Sequence, residues 1–248
     1  QIGQVTNVVQ IFQEGVSMTY SAQGDTGSLA GLSVIPGSQA GGAVPVNPRS
    51  IEWQREKAME RIARNVNVAL LKAAYVNPAN NATARVTRGL RSAITTNVFT
   101  NGAVARPMSK ALFEASLRTA MVNGMFPQGA KLFLFADAVQ YANLVSVYEA
   151  STAPPRDREV AGLDVKELVT PWARVFLTWE PDMTAGEVIL AQPQFCRVVA
   201  MPIPGKGVLF SEPLAKTGSA DNEQIYGEIG LDYRNEIFHA RIGDLVLT

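Results

Sequence analysis

Val16-Ser17-Met18-Thr19-Tyr20 alternates apolar and small polar side chains at a period of two, so one face of an extended segment requires burial. The stretch lies in an opening of 48 residues that contains no Lys or Arg and only two acidic groups, Glu14 and Asp25. Downstream, Gly24, Gly27, Gly31, Gly37, Gly41 and Gly42 interrupt the chain with Ser and Pro between them, which leaves few partners within the segment itself. An uncharged, partly apolar arm of this kind is expected to bury against something. If the remainder of the chain makes its own core, the expected partner is a second copy. Residues 5–20 read as extended and 21–47 as a Gly/Ser/Pro-rich return with a second strand over 29–35, together a hairpin-like projection.

Asn47 followed by Pro48 is a helix start, with Asn as cap and Pro at the first helical position. Ile51, Ala58, Met59, Ile62, Val66, Ala69, Leu70 and Ala73 then recur at steps of three and four on one face, while Glu52, Glu56, Lys57, Glu60, Arg61 and Arg64 occupy the remainder. The pattern predicts a helix of about 27 residues from Asn47 to Tyr75, roughly 40 Å long, that serves as a girder. Further on, Ser109 caps a helix through Leu112, Leu117 and Met121 that stops at Gly124, and Asp137 caps a second one through Tyr141, Leu144, Val145 and Tyr148. Strands are expected at 131–135, 174–179, 187–190, 196–201, 208–210, 224–232 and 237–246, with Arg234-Asn235-Glu236 at a turn. The class is α+β, without an internal repeat.

The formal net charge is zero, with 22 basic and 22 acidic side chains, which gives no long-range attraction to nucleic acid or anionic lipid and disfavours a DNA reader. Hydrophobic residues make up 47% and charged residues 18%, a globular composition for a chain of 248 residues. No stretch approaches the roughly 20 apolar residues of a membrane helix. The chain opens at Gln1 without Met or a signal-type apolar core, so the expectation is that a leader has been removed or the end trimmed.

Chemistry-bearing patterns are scarce. The one histidine, His239, sits in strand-like alternation, so no His-based metal cluster is expected, and no Gly-x-Ser-x-Gly elbow accompanies it. Cys196 reads as a buried inert thiol. Pro204-Gly205-Lys206-Gly207 lacks the spacing of a phosphate loop and reads as a hairpin turn. Arg85, Arg88 and Arg91 recur every three residues and could grip phosphate or the carboxylates of a neighbouring subunit, and zero net charge favours the protein interface. No catalytic, cofactor-binding or metal site is expected. The candidate subunit-interface residues are Val16, Met18, Tyr20, Arg85, Arg88 and Arg91.

Gln10-Ile11-Phe12-Gln13-Glu14-Gly15-Val16-Ser17, then Thr87-Arg88-Gly89-Leu90 with Ile94-Thr95-Thr96-Asn97, then Ile225-Tyr226-Gly227-Glu228-Ile229-Gly230-Leu231-Asp232 followed by Asn235-Glu236, resemble a branch of tailed-bacteriophage major capsid proteins. The pieces are short and run in the same order across nearly the whole chain. The resemblance implies the Hong Kong 97-like capsid fold, divided into an N-terminal arm and extended loop (1–47), a spine helix of a peripheral domain (48–78), an axial domain (79–205) and return strands completing the peripheral domain (206–248). It implies hexamers and pentamers closing into an icosahedral shell around double-stranded DNA, a virion location after assembly in the host cytoplasm, and partners of the portal and cement classes. Some members of the fold lock the shell through a lysine in the extended loop. No lysine precedes Lys57, so a noncovalent shell is expected here.

The alternatives are a cellular nanocompartment shell of the same fold, which encloses cargo enzymes, and an oligomeric α+β enzyme or binding domain. The latter would use Asp157, Glu159, Asp164 and Glu167 as an acidic site in a Pro-rich loop, where carboxylates are ordinarily solvated.

Overall fold

A computed structural model describes residues 6–24, 28–29, 32–33, 51–80, 82–124, 131–149, 156–160, 163–216 and 218–247. In chain order the elements are β1 (Gln10–Thr19), α1 (Tyr20–Gly24), β2 (Ser28–Leu29), β3 (Leu32–Ser33), α2 (Ile51–Lys72), α3 (Leu90–Ala93), β4 (Val98–Phe99), α4 (Lys110–Val122), β5 (Lys131–Ala136) and α5 (Ala138–Glu149). They continue with β6 (Arg156–Val160), β7 (Leu163–Val169), β8 (Arg174–Trp179), β9 (Val188–Ala191), β10 (Arg197–Ala200), β11 (Leu209–Pro213), β12 (Ala220–Asp232) and β13 (Ala240–Ile242). The chain divides into two units. One comprises Gln1–Val8, Val68–Val199 and Gly230–Thr248, the other Val9–Asn67 and Ala200–Ile229.

The larger unit holds a seven-stranded mixed sheet in the order β4-β13-β9-β5-β8-β7-β6. β5 and β8 run parallel, which requires a crossover, and α5 with the β6–β7 hairpin supplies it. Alternation along β5 sends Leu132, Leu134 and Ala136 to one face, where Phe113, Leu117 and Ala120 of α4 and Leu144 and Tyr148 of α5 pack with them. The opposite face, carrying Ile189, Ala191 and Phe135, packs against Leu71, Leu90, Ala93, Leu231 and Tyr233. Both faces are therefore covered, and this is why all four residues of β9 are buried without an alternating pattern. The helix signals act as read from the sequence: Ser109 Oγ accepts from the Leu112 amide at 3.2 Å, Asp137 Oδ1 accepts from the Gln140 amide at 2.9 Å, and Gly124 takes a φ of 92° after α4.

In the smaller unit β1 pairs antiparallel with β12 along its full length, from Gln10 opposite Ile229 to Thr19 opposite Ala220. β11 pairs with the other flank of β12, Leu209 opposite Gly227. This overturns the expectation that the arm lacks cover within its own chain: Phe12, Val16 and Met18 are all buried in the single subunit. The cause is a partner strand some 200 residues downstream, a separation to which local periodicity is blind. The strand also ends one residue early, because Tyr20 opens the short helix α1. The second strand expected over 29–35 is instead the pairing of Ser28–Leu29 with Leu32–Ser33, while residues 34 and 35 lie outside the described residues.

The long helix is a single element but ends at Lys72, short of Tyr75 and of residue 78. One further hydrogen bond, from the Ala73 amide to the Ala69 carbonyl, closes its last turn. Val76 then pairs with Val86, which draws the chain into extended geometry. The expected start at Asn47 and Pro48 lies outside the described residues. Ala58 and Ile62 are buried as the period demands, but Met59, 100° further round, is exposed. Gly89 lies where a Cβ would stand 2.6 Å from the Ala69 carbonyl oxygen and the Ala73 nitrogen, so only glycine lets this segment run against the end of α2.

Candidate assembly surfaces

On β1 the even-numbered residues form the buried face, and the register puts Ile225 and Glu223 of β12 on that same side, opposite Glu14 and Val16. Two ion pairs fix what lies over it. Arg61 of α2 reaches Glu14 at 2.8 Å, and Arg55, six residues earlier, holds Glu223 through two bonds of 2.8 and 2.9 Å. The bidentate contact keeps the Glu223 carboxyl below the ordinary glutamate range and raises Arg55. Val16 and Met18 are therefore covered within the single chain. Tyr20 differs: it is exposed, with Lys216 Nζ donating to its hydroxyl at 3.3 Å and lying 5.6 Å over its ring.

The three arginines do not share a helical face, since α3 covers only Leu90–Ala93 and Arg85 and Arg88 precede it. Arg91 forms a bidentate pair with Glu187, which also accepts from Arg241 at 3.3 Å. Arg88 lies 4.4 Å over the Tyr75 ring and donates to the Tyr233 hydroxyl at 3.2 Å. Arg85 is half-buried in the extended segment beside Val86. Two of the three guanidinium groups thus have partners inside the chain.

The remaining chemical readings resolve into structure. His239 is fully buried, its Nε2 is 3.1 Å from the Tyr233 carbonyl and its Nδ1 is 3.4 Å from the Gln192 amide nitrogen. With Nε2–H as donor and Nδ1 as acceptor both contacts are satisfied by the neutral ring, and burial lowers the pKa in agreement. Cys196 Sγ lies 3.7 Å from the same ring, yet burial pushes the thiol up to about 11, which keeps it protonated and unreactive. Sequence reasoning missed this pairing because the two residues are 43 positions apart. Residues 204–206 form a turn closed by the Ile203–Gly207 bridge. Asp157 and Glu159 stand on β6 opposite Lys166 and Asp164 of β7, whereas Glu167 is buried 3.5 Å from Arg174. Among the described residues no three His, Cys, Asp or Glu side chains are grouped to hold a metal ion.

Sequence reading also passed over two carboxylates near the end of the chain. Glu236 accepts from the amides of Thr95 and Thr96 at 2.9 and 3.0 Å and from the Thr96 hydroxyl. Asp244 accepts from the amides of Asn101 and Ala103 at 2.7 and 3.0 Å. Their partners lie about 140 residues away, so a lone acidic residue in a turn gave no signal.

The chain matches the family model described as SU10 major capsid protein over residues 1–246. No curated protein sequence matches it. Among solved structures, the SrpI encapsulin of Synechococcus elongatus superposes with a TM-score of 0.65 at 11% identity, covering 97% of this chain and 75% of that one. The capsid of cyanophage A-1(L) gives 0.64 at 11% identity, covering 95% and 77%. The capsid of an empty GTA particle gives 0.57 at 10% identity, covering 98% and 75%. At these identities the structural likeness establishes the fold, which is the Hong Kong 97-like capsid fold.

Proposed function

The chain belongs to the SU10 major capsid protein family, and from that premise we propose that its copies associate as hexamers and pentamers that close into an icosahedral shell around double-stranded DNA. A major capsid protein is a structural protein of the virion, and homo-oligomeric assembly is its task. The observation that carries the finer reading is the family match over residues 1–246. Zero net charge supports it, because a shell that bound its genome tightly along the inner wall would obstruct packing and release.

Within the subunit, the arm and extended loop (1–47), the spine helix, an axial domain and the return strands take the parts the fold assigns them. Tyr20 is a contact to a neighbouring copy: its ring is exposed at the end of β1, where the chain leaves the sheet. Arg85, Arg88 and Arg91 act at most through the surface they leave after their internal contacts. Absence of lysine before Lys57 supports a shell held without covalent cross-links, with portal and cement proteins as further partners and the host cytoplasm as the place of assembly.

Negative-stain microscopy and sedimentation of the purified protein test the reading. Closed shells or capsomers are expected, and a dispersed, folded monomer at micromolar concentration overturns it. The encapsulin likeness favours one alternative, a shell around protein cargo. Nuclease-protected double-stranded DNA inside particles from infected cells decides for the genome, and copurifying enzyme without DNA decides for cargo. A boiled denaturing gel should show one monomer band.

A further inference from the structure

The segment from Thr95 to Ala103 is a strap: it carries the two-residue strand β4, parallel to β13 at the end of the seven-stranded sheet, with Val98 and Phe99 packed on the core and a carboxylate at each end. One end is held by Glu236, which accepts from the Thr95 and Thr96 amides and the Thr96 hydroxyl. The other end is held by Asp244, which accepts from the Asn101 and Ala103 amides through the single oxygen Oδ2. The turn gripped by Asp244 is strained. Ala103 has a φ of 65°, left-handed and unfavourable for a residue with a Cβ, and Asp244 itself sits at 59°. Between the two ends Asn97 donates to the carbonyls of Ile237 and His239.

We propose that Glu236 and Asp244 form a two-point clamp that holds this strap at neutral pH and releases it on acidification, before the rest of the sheet opens. Each carboxylate gathers two backbone donors that no apolar packing would replace, so protonation removes acceptor strength at both ends at once. Strain at Ala103 then favours opening, and loss of β4 leaves one edge of β13 unpaired.

Other charges around the clamp have been placed. Arg106 and Arg241 act on Asp244, but Arg106 donates to the Phe99 carbonyl and Arg241 to Glu187. His239 is the titratable group beside Glu236. Burial raises Glu236, but its Thr95 and Thr96 donors together outweigh it, and the Asn101 and Ala103 amides hold Asp244 down, so both carboxyls lie below their ordinary ranges. For groups with lowered folded pKa values the stabilisation is present at neutral pH and is lost as pH falls through those values. His239, also lowered, would charge in the acid range as well, so variants must accompany the pH series.

Hydrogen exchange by mass spectrometry on the full chain, expressed as protection factors between pH 7 and 3, reads the clamp directly. Strap peptides covering 95–103 should lose protection at a higher pH than peptides of β5 and β8. The double variant Glu236→Gln with Asp244→Asn should lose about tenfold or more of strap protection already at pH 7, with a flattened pH dependence. A strap that opens only together with β5 and β8 in the wild type overturns the proposal. So does a double variant with wild-type protection and pH profile. Should the variant fail to fold, the wild-type ordering of the two transitions decides alone. The outcome is independent of whether shells form.

Discussion

The two units solve the burial problem differently. In the larger unit a sheet is covered on both faces, and Leu132, Leu134, Leu144, Leu177 and Leu190 disappear from solvent among helices and strands of the same unit. In the smaller unit the sheet buries one face: β1 alternates, with Ile11, Gln13, Ser17 and Thr19 exposed and Phe12, Val16 and Met18 covered. Its helix is tethered to the strands by ion pairs at Glu14 and Glu223. The contrast is in how each sheet is covered: the larger unit's on both faces, the face of β1 that carries Ile11 and Gln13 left open to solvent.

The largest expected effect tests whether the buried face of β1 really belongs to the subunit. Met18→Asp places a carboxylate in a site 7% exposed, at a cost of about 3–5 kcal/mol for an uncompensated buried charge. The thermal transition of dispersed subunits, followed by circular dichroism, should fall markedly. An unchanged transition would return this face to the neighbour and erase the contrast between the units.

Next comes the two-sided core. Leu134→Ala removes a side chain with no exposed surface and should cost about 2–5 kcal/mol, with protection lost throughout β5, β8 and β9. If hydrogen exchange instead rises equally in β1 and β12, the two units unfold as one and their separate description fails.

Gly89→Ala should cost about 1–3 kcal/mol, because its Cβ would meet backbone atoms at 2.6 Å that cannot turn aside. Calorimetry on the subunit reads this. A neutral result would mean that the end of α2 yields, and that the larger unit is less rigid than its packing indicates.

The smallest effect concerns the tether. Glu223→Gln should cost no more than about 1 kcal/mol, since Arg55 keeps a partly exposed side chain. Because Arg55 lowers the folded pKa of Glu223, its contribution is present at neutral pH and is lost as pH falls through that value. The gap between wild type and variant in urea titrations should therefore close on acidification. A gap that persists at low pH would assign the effect to packing instead of charge.

Much of this architecture was legible in the chain. Strand 174–179, the caps at Ser109 and Asp137, the stop at Gly124 and the turn at 204–207 follow from chemistry within four or five residues. The family resemblance was also carried by short local pieces. What stayed hidden was partnership. The same alternation that marks Val16 and Met18 as buried says nothing about which molecule buries them, and Arg91 carries no mark of Glu187, which lies 96 residues away.

The sequence by itself determined the α+β class, the long helix and the kinship with capsid proteins, because local periodicity, caps and turn residues are read within a few positions. Only the tertiary structure decided that β12 covers β1, that Arg55, Arg61 and Arg91 are spent inside the subunit, and that two carboxylates clamp one strap. Each of these depends on pairs of residues brought together from distant parts of the chain, and many pairings satisfy the same local pattern until packing, register and charge select one.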